Sequence, residues 1–339
     1  MIKRNIVIVT GGTGFVGSNL INLLINKTNY KIISLDNYSS GSKKNHLKNR
    51  RIKYINANTK DIFKIIKNPK KIKTIFHFGE FARIYQSFIN MNECIDSNTV
   101  GTNSVFNFCL KNKTKKIKTI FHFGEFSRIY QSFMKMNECI ESNSVGSHAI
   151  FNFCLNNNIK LIYSATSANL GNKGNDKNLS PYAFTKAKNL EMLENLKKWF
   201  KMKFEIIYFY NVYGPGQISV GEMATVIGIF ENLYKKNKPL TVVKPGNQSR
   251  RFTHILDTVE ACYFAWRKNE CKHYSISNKK SYTILQVAKL FHSKIKMLPP
   301  REGERYASAL TNMNLSNKVY KMFGKIQLKD YINKVIKTA

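Results

Sequence analysis

Four β-branched residues, Ile6, Val7, Ile8 and Val9, run directly into Thr-Gly-Gly-Thr-Gly-Phe-Val-Gly at residues 10–17. A continuously apolar strand suits a parallel sheet covered on both faces, and the residues after Gly14 open a helix over 15–26. Gly12, Gly14 and Gly17 form G-x-G-x-x-G, in which each glycine meets one need: a turn with unusual backbone angles, close approach of a pyrophosphate, and tight packing of helix on strand. The free N–H groups and positive dipole end of that helix would face the phosphates. Strand, glycine turn and helix in this order predict an α/β chain on a doubly wound parallel sheet of the Rossmann type, with a dinucleotide held by these amino-terminal glycines.

A second apolar strand, 31–35, ends at Asp36, 19 residues past Gly17. A carboxylate there would accept hydrogen bonds from the adenosine ribose, which predicts NAD; Lys43 and Lys44 leave NADP as the lesser alternative. After a turn-rich stretch beginning at Asn37, a third strand, 51–55, leads to Asn58. Its amide oxygen could accept from the adenine amino group, where dinucleotide folds often carry a carboxylate.

The chain then repeats itself. Residues 70–114 and 115–159 align without a gap, with 33 identities in 45 positions. Each copy reads as a strand (72–78; 117–123), the run His-Phe-Gly-Glu-Phe, an arginine (Arg83; Arg128) and a helix from about Met91 or Met136. Two copies fall short of the three that a solenoid normally needs, so this is a tandem duplication of one β-α unit. Two arrangements are open. If both strands enter the sheet, the next strand moves outward by about 4.8 Å, one strand spacing. If only one enters, the second copy is the expected occupant, because residues 156–159 form a short natural turn into the next strand. The first copy would then expose Thr74, Ile75 and Phe76.

Beyond the repeat, a strand at 160–164 ends in the hydroxyl cluster Ser164-Ala165-Thr166-Ser167, and Pro181 opens a long helix. Tyr182 and Lys186 lie four residues apart on that helix, hence on one face. Open parallel sheets place ligands outside the carboxyl ends of their strands, so Thr166 and the glycine turn should share a crevice. Another strand, 204–209, closes a first domain at residues 1–210. Residues 211–339, broken by Pro and Gly into short elements, form a smaller α/β domain suited to substrate.

With 339 residues the chain can bury a large core. Its apolar runs are far shorter than the roughly 18 residues of a membrane span, and it opens without a signal-type stretch, so a soluble cytoplasmic protein is expected. Six cysteines without C-x-x-C spacing read as buried thiols in a reducing compartment. The net charge of +35 raises nucleic-acid binding. The lysines are scattered, however, and accompany abundant Asn and Ile, residues with shared A/T-rich codons, so no specific nucleic-acid partner is expected.

Thr10 with its glycines, Asp36-Asn37, the hydroxyls at Thr166, Tyr182-x-x-x-Lys186 and Asn211-Val-Tyr-Gly-Pro together resemble the extended short-chain dehydrogenase/reductase family. Within it the sequence is most similar to the NAD-dependent nucleotide-sugar epimerase/dehydratase group, in particular UDP-glucose 4-epimerase-like proteins. The resemblance implies cofactor contacts from Gly11, Gly12, Thr13, Gly14, Phe15, Val16, Gly17, Asp36, Asn37, Asn58, Phe123, Gly124, Asn143, Tyr182 and Lys186. It assigns substrate contacts to Arg128, Thr166, Asn211, Arg250 and Arg301, no metal, and a homodimer acting on a UDP-sugar.

In the implied reaction, Tyr182 takes a proton from the C4 hydroxyl while NAD accepts hydride, and the hydride returns to the opposite face. A free phenol, with a pKa near 10, is a poor base at neutral pH; Lys186 would favour its phenolate. Thr166 would hold the reacting oxygen, with Ser167 as the alternative one position on. The acidic residue that the group's dehydratases carry after this hydroxyl is missing, which favours epimerisation. Arg251, Asn58 and the Phe-Gly-Glu after each His depart from the group's pattern. The alternatives to an epimerase are a catalytically inactive NAD- and nucleotide-sugar-binding protein disabled by the duplication, or another nucleotide-sugar dehydratase or reductase of the same family, and His77 and His122 are expected to be structural.

Overall fold

A computed structural model describes residues 5–79, 92–93, 96–111, 119–126, 129–167, 169–170, 177–221, 224–299 and 319–338. Strand β1 (Ile6–Thr10) is followed by helix α1 (Phe15–Lys27) and then by β2 (Lys31–Asp36) and β3 (Ile52–Asn56). The repeat strands are β4 (Ile72–His77) and β5 (Thr119–His122), each followed by a helix, α2 (Thr102–Lys111) and α3 (Ser147–Asn156). Next come β6 (Lys160–Thr166), α4 (Pro181–Phe200) and β7 (Phe204–Phe209). Val7, Ile8 and Val9 are fully buried, as a strand covered on both faces requires. Ser180 caps α4 by accepting from Ala183 N, with Pro181 in its first turn, which fixes the start of the helix carrying Tyr182 and Lys186.

All strands of the large layer are parallel. One half runs β3-β2-β1-β4; the other runs β5-β6-β7-β11-β14, where β11 is His273–Asn278 and β14 is Val319–Gly324. Both copies of the repeat are therefore in the layer: the first pairs with β1, the second with β6. The expectation that the second copy fills a single slot while the first is extruded does not hold, and Phe76 is fully buried. Extruding either copy would expose Phe76, Val105 and Phe108 or their counterparts, at roughly 1.5–3 kcal/mol for each large apolar side chain.

The copies stand side by side as translated equivalents. Phe76 and Phe121 have ring centroids 4.9 Å apart, and Phe78 and Phe123 are 5.7 Å apart and stacked. These separations are close to the ~4.8 Å between neighbouring strands. Inside each copy the same bond ties strand to helix: His77 Nε2 to Thr102 Oγ1 at 2.9 Å, and His122 Nε2 to Ser147 Oγ at 2.9 Å. No backbone ladder joins β4 to β5 among the described residues, so aromatic contacts hold this seam.

Beyond residue 211, β8 (Asn211–Tyr213), β10 (Ser249–His254) and β12 (Ser281–Thr283) form a small sheet, and β9 (Leu240–Val243) pairs with β13 (Ile295–Leu298). With Phe230, Phe291 and Ile332 they build a second core. The chain does not stay in that body. A helix at Ile255–Arg267 crosses back over the large layer, so that β11 and then β14 add to its edge beyond β7. The larger core therefore takes in Ile255, Val259, Ala265, Tyr274, Ile276 and Phe323 along with residues before 211, because parallel pairing of β11 with β7 requires a return crossover.

Candidate functional site

At the carboxyl ends of β1 to β4 lies a cleft of about 260 Å³. Gly11, Gly14, Phe15, Val16 and Gly17 line one side, and Asp36, Asn37 and Asn58 another. The positive backbone angle that the sequence reading gave to Gly12 belongs to Gly11, at φ +64°. A Cβ on Gly11 would sit 2.6 Å from the Phe78 carbonyl oxygen, so the turn is packed directly against the end of β4. Gly17 faces the Gly11 carbonyl in the same way, and a side chain there would push α1 off the turn.

Asp36 is buried at the tip of β2, where Oδ2 accepts from Thr13 N at 2.9 Å and Oδ1 from Tyr38 N at 2.8 Å. Two backbone donors fix the carboxylate while leaving a lone pair on each oxygen for ribose hydroxyls. Asn37 Nδ2 donates to Asn58 Oδ1 at 2.9 Å, which joins the tips of β2 and β3. Helix α1 starts at the cleft with no side-chain cap on Gly14 and no acidic residue in its first turn, so its N–H groups and dipole are available to an anion. The residues present fit the adenosine and pyrophosphate half of a dinucleotide. Gly12 and Thr13 do not line the cleft; both are buried behind it.

Phe123 and Gly124 line the cleft as expected, but so do Phe78 and Gly79, their counterparts in the first copy, together with His77. The sequence reading assigned the cofactor contacts to the second copy alone, and the first copy's share appears only in the strand order. Burial pushes His77 and His122 down to about 4, so both rings are neutral at physiological pH, consistent with a structural role. Thr10 Oγ1 contacts His77 Nδ1 at 2.6 Å and accepts from Gly79 N at 3.0 Å, which fixes the first-copy loop against β1.

Thr166 lies at the end of β6, Tyr182 and Lys186 lie one turn apart on α4, and none of the three lines the glycine cleft. Tyr182 is buried against Phe126 and Cys139. Asn143 is fully buried: its Oδ1 accepts from Phe126 N at 2.7 Å, and its Nδ2 donates to Thr185 Oγ1 at 3.2 Å. Asn143 therefore braces the second-copy loop against α4 and does not reach the cleft.

The residue that sequence reasoning missed is Glu125. Its side chain is 1% exposed and accepts from Lys186 Nζ, from Ser147 Oγ at 2.8 Å, from Tyr163 Oη at 2.9 Å and from Asn189 Nδ2 at 3.2 Å. Lys186 Nζ also donates to Ser164 O at 2.5 Å and Ser164 Oγ at 3.3 Å, which accounts for its three hydrogens. Burial pulls the Lys186 ammonium below the ordinary lysine range, and Glu125 opposes that pull. Burial alone would raise the Glu125 carboxyl; the adjacent Lys186 and His122, with the bonds from Lys186 and Ser147, hold it below the usual carboxylate range. The unusual acid after His-Phe-Gly was the available signal, but its partner lies 61 residues away.

Of the expected substrate contacts, Asn211 Nδ2 donates to Arg251 O at 3.0 Å, tying β8 to β10, and Arg250 Nη1 donates to Ser249 O at 2.8 Å. Arg128 and Arg301 lie outside the described residues. No cluster of metal-ligating side chains occurs among the described residues.

Comparison with known proteins matches these features in one family. The chain is 26% identical to a Methanocaldococcus jannaschii protein named "Putative UDP-glucose 4-epimerase", over 97% of each chain. It is 28% identical to a dTDP-D-glucose 4,6-dehydratase of Dictyostelium discoideum, over 84% of this chain and 60% of that one. Among solved structures it resembles the UDP-N-acetylglucosamine 4-epimerase of Methanobrevibacter ruminantium M1, with a TM-score of 0.66 and 22% identity over 99% of this chain and 98% of that one. The profile of the NAD dependent epimerase/dehydratase family matches twice, at residues 7–119 and 112–278. The first match ends, and the second begins, at the junction of the two copies. The cofactor of this family is NAD, in agreement with the glycine turn and Asp36. A fold and a profile that span the chain on both sides of the duplication make it a member of the NAD dependent epimerase/dehydratase family.

Proposed function

We propose that this chain is a nucleotide-sugar protein of the epimerase line that binds NAD at the glycine cleft and does not turn over a UDP-hexose, because its hydride-transfer centre is held apart. The strand order supports this most directly: β4 and β5 both stand between β1 and β6. One extra strand moves Thr166, Tyr182 and Lys186 outward by about 4.8 Å relative to the glycine turn. Reacting atoms need to approach within about 3–3.5 Å, and a misplacement of 1 Å can cost about 10²-fold in rate. The bonds of Lys186 to Glu125 and Ser164 act in the same direction, since they occupy the ammonium that would favour the Tyr182 phenolate. The nucleotide sugar would bind beside β6 and the smaller core, through Asn211, Arg250 and the two arginines outside the described residues, in a homodimer.

A second reading, an active UDP-sugar 4-epimerase with C4 oxidation and hydride return, is favoured by one observation. The threonine, tyrosine and lysine are all present on adjoining elements, with no acidic residue among the described positions just after Thr166. The test is to supply the purified full chain with NAD and either UDP-glucose or UDP-galactose. The first reading predicts NAD binding without interconversion. Interconversion that is lost in Tyr182→Phe would establish the second.

A further inference from the structure

Lysines that are scattered along the sequence are gathered by the topology. Parallel strands all begin at one edge of the layer, opposite the cleft, and exposed lysines stand along that edge. Lys31 opens β2, Lys53 is second in β3, Lys71 directly precedes β4, Lys203 precedes β7, Lys272 precedes β11 and Lys321 is third in β14. The connecting helices end at the same edge, with Lys27, Lys198 and Arg267 in the last turns of α1, α4 and the helix at Ile255–Arg267. Cations there complement the negative ends of the helix dipoles, which accounts for part of the charge.

Dipoles do not account for the rings that stand among these lysines. Helix α4 overruns the layer: its buried stripe of Asn189, Leu193 and Leu196 continues at helical spacing to Phe200, which is 59% exposed, beside Trp199 at 61%. Exposed Lys198, Lys201 and Lys203 flank the two rings in the chain and lead into β7. Two strands along, at the start of β14, Tyr320 is 57% exposed with Lys272 Nζ 5.5 Å from its ring centroid. The acids of this corner do not offset its charge. Glu270 is paired with Lys268 at 3.3 Å, Glu194 contacts His273 Nε2 at 2.9 Å, and Glu205 is fully buried, accepting from Glu270 N and Lys272 N.

We propose that this corner docks the protein on an anionic lipid surface, with Trp199 and Phe200 seated among the headgroups and the lysines of the strand-start edge facing the lipid phosphates. Aromatic rings flanked by cations at a projecting helix end suit a headgroup layer; a single-stranded nucleic acid is met by rings set along a basic groove. The cleft lies at the opposite edge of the layer and stays open to its ligand, so the proposal is independent of what happens there.

The chain has two tryptophans, Trp199 and Trp266, and Trp266 packs edge-on against Phe76 at 5.2 Å. Trp266→Phe therefore leaves Trp199 as a local reporter. The full chain should sediment with vesicles of phosphatidylcholine containing about 30 mol% phosphatidylglycerol, and the Trp199 emission should shift to the blue. Binding should be at least about tenfold weaker on phosphatidylcholine alone and in roughly 0.5 M salt. Trp199→Ala with Phe200→Ala, and separately Lys201→Glu with Lys203→Glu, should each weaken it at least about tenfold while circular dichroism and melting stay unchanged. Should Trp266→Phe fold poorly, sedimentation of the unaltered chain still decides. Failure to sediment with the anionic vesicles, equal binding to neutral ones, or binding that survives both pairs of substitutions would overturn the proposal. Quenching of Trp199 by polyuridylate without vesicle binding would also overturn it and assign the corner to nucleic acid.

Discussion

The ammonium of Lys186 and the carboxylate of Glu125 meet in the protein interior, with side chains 4% and 1% exposed. The lysine comes from α4 and the glutamate from the loop after β5, so the pair joins the second repeat copy to the helix that also carries Tyr182. Removing one partner leaves the other charge buried and alone. Glu125→Ala should cost about 3–5 kcal/mol in denaturant unfolding. Replacing both, as Glu125→Gln with Lys186→Met, should recover most of that loss. A single substitution costing under about 1 kcal/mol would mean that the pair is hydrated in solution.

Because the two copies are equivalent in strand, helix and internal hydrogen bond, either should serve in a layer with one slot. Deleting residues 70–114 should bring β6 next to the strand paired with β1. We expect interconversion of UDP-glucose and UDP-galactose to rise at least about 10²-fold above the full chain, given how steeply rate depends on position. A folded deletion variant that binds NAD and shows no gain would mean that the strand spacing is not what separates the site.

Much of this architecture was legible in the sequence. The continuous apolar run at β1, the glycines and Asp36 fixed the cleft, because those local requirements admit few other residues. The pairing of Lys186 with Glu125 was not legible, since it joins positions 61 residues apart whose contact exists only after β5 and α4 pack. The fate of the duplication was not legible for a related reason. Copies alike at 33 of 45 positions have nearly the same local preferences, and the choice between insertion and extrusion lies in the tertiary burial of Phe76, Phe121 and the helices behind them.

Acid should destabilise the fold through its buried imidazoles. His77 and His122 sit at about 4 in the folded chain, against 6.5 for a free ring. Between those values the unfolded chain binds more protons, so stability is greatest above pH 6.5 and falls as pH drops towards 4. The loss should be on the order of 3 kcal/mol per ring. Unfolding midpoints in denaturant at pH 7 and pH 5 check this; equal midpoints would contradict it.

Gly11 carries the strained step of the turn, at φ +64° with the Phe78 carbonyl directly behind it. Gly11→Ala should lower the melting temperature by a few degrees, about 1–3 kcal/mol of strain, and should weaken NAD binding as β4 is pushed from β1. Gly221→Ala is the comparison, because its φ of +80° carries the same backbone strain but faces open space. It should lower stability without altering NAD affinity.

The separation of the Tyr182 hydroxyl from the cofactor is the quantity on which the account turns. A crystal structure of the full chain with NAD soaked or co-crystallised measures it directly. With one strand spacing added to a reactive approach, the distance from Tyr182 Oη to the nicotinamide C4 should be about 8 Å or more. A distance of about 4 Å or less, with both repeat strands still in the layer, would contradict it.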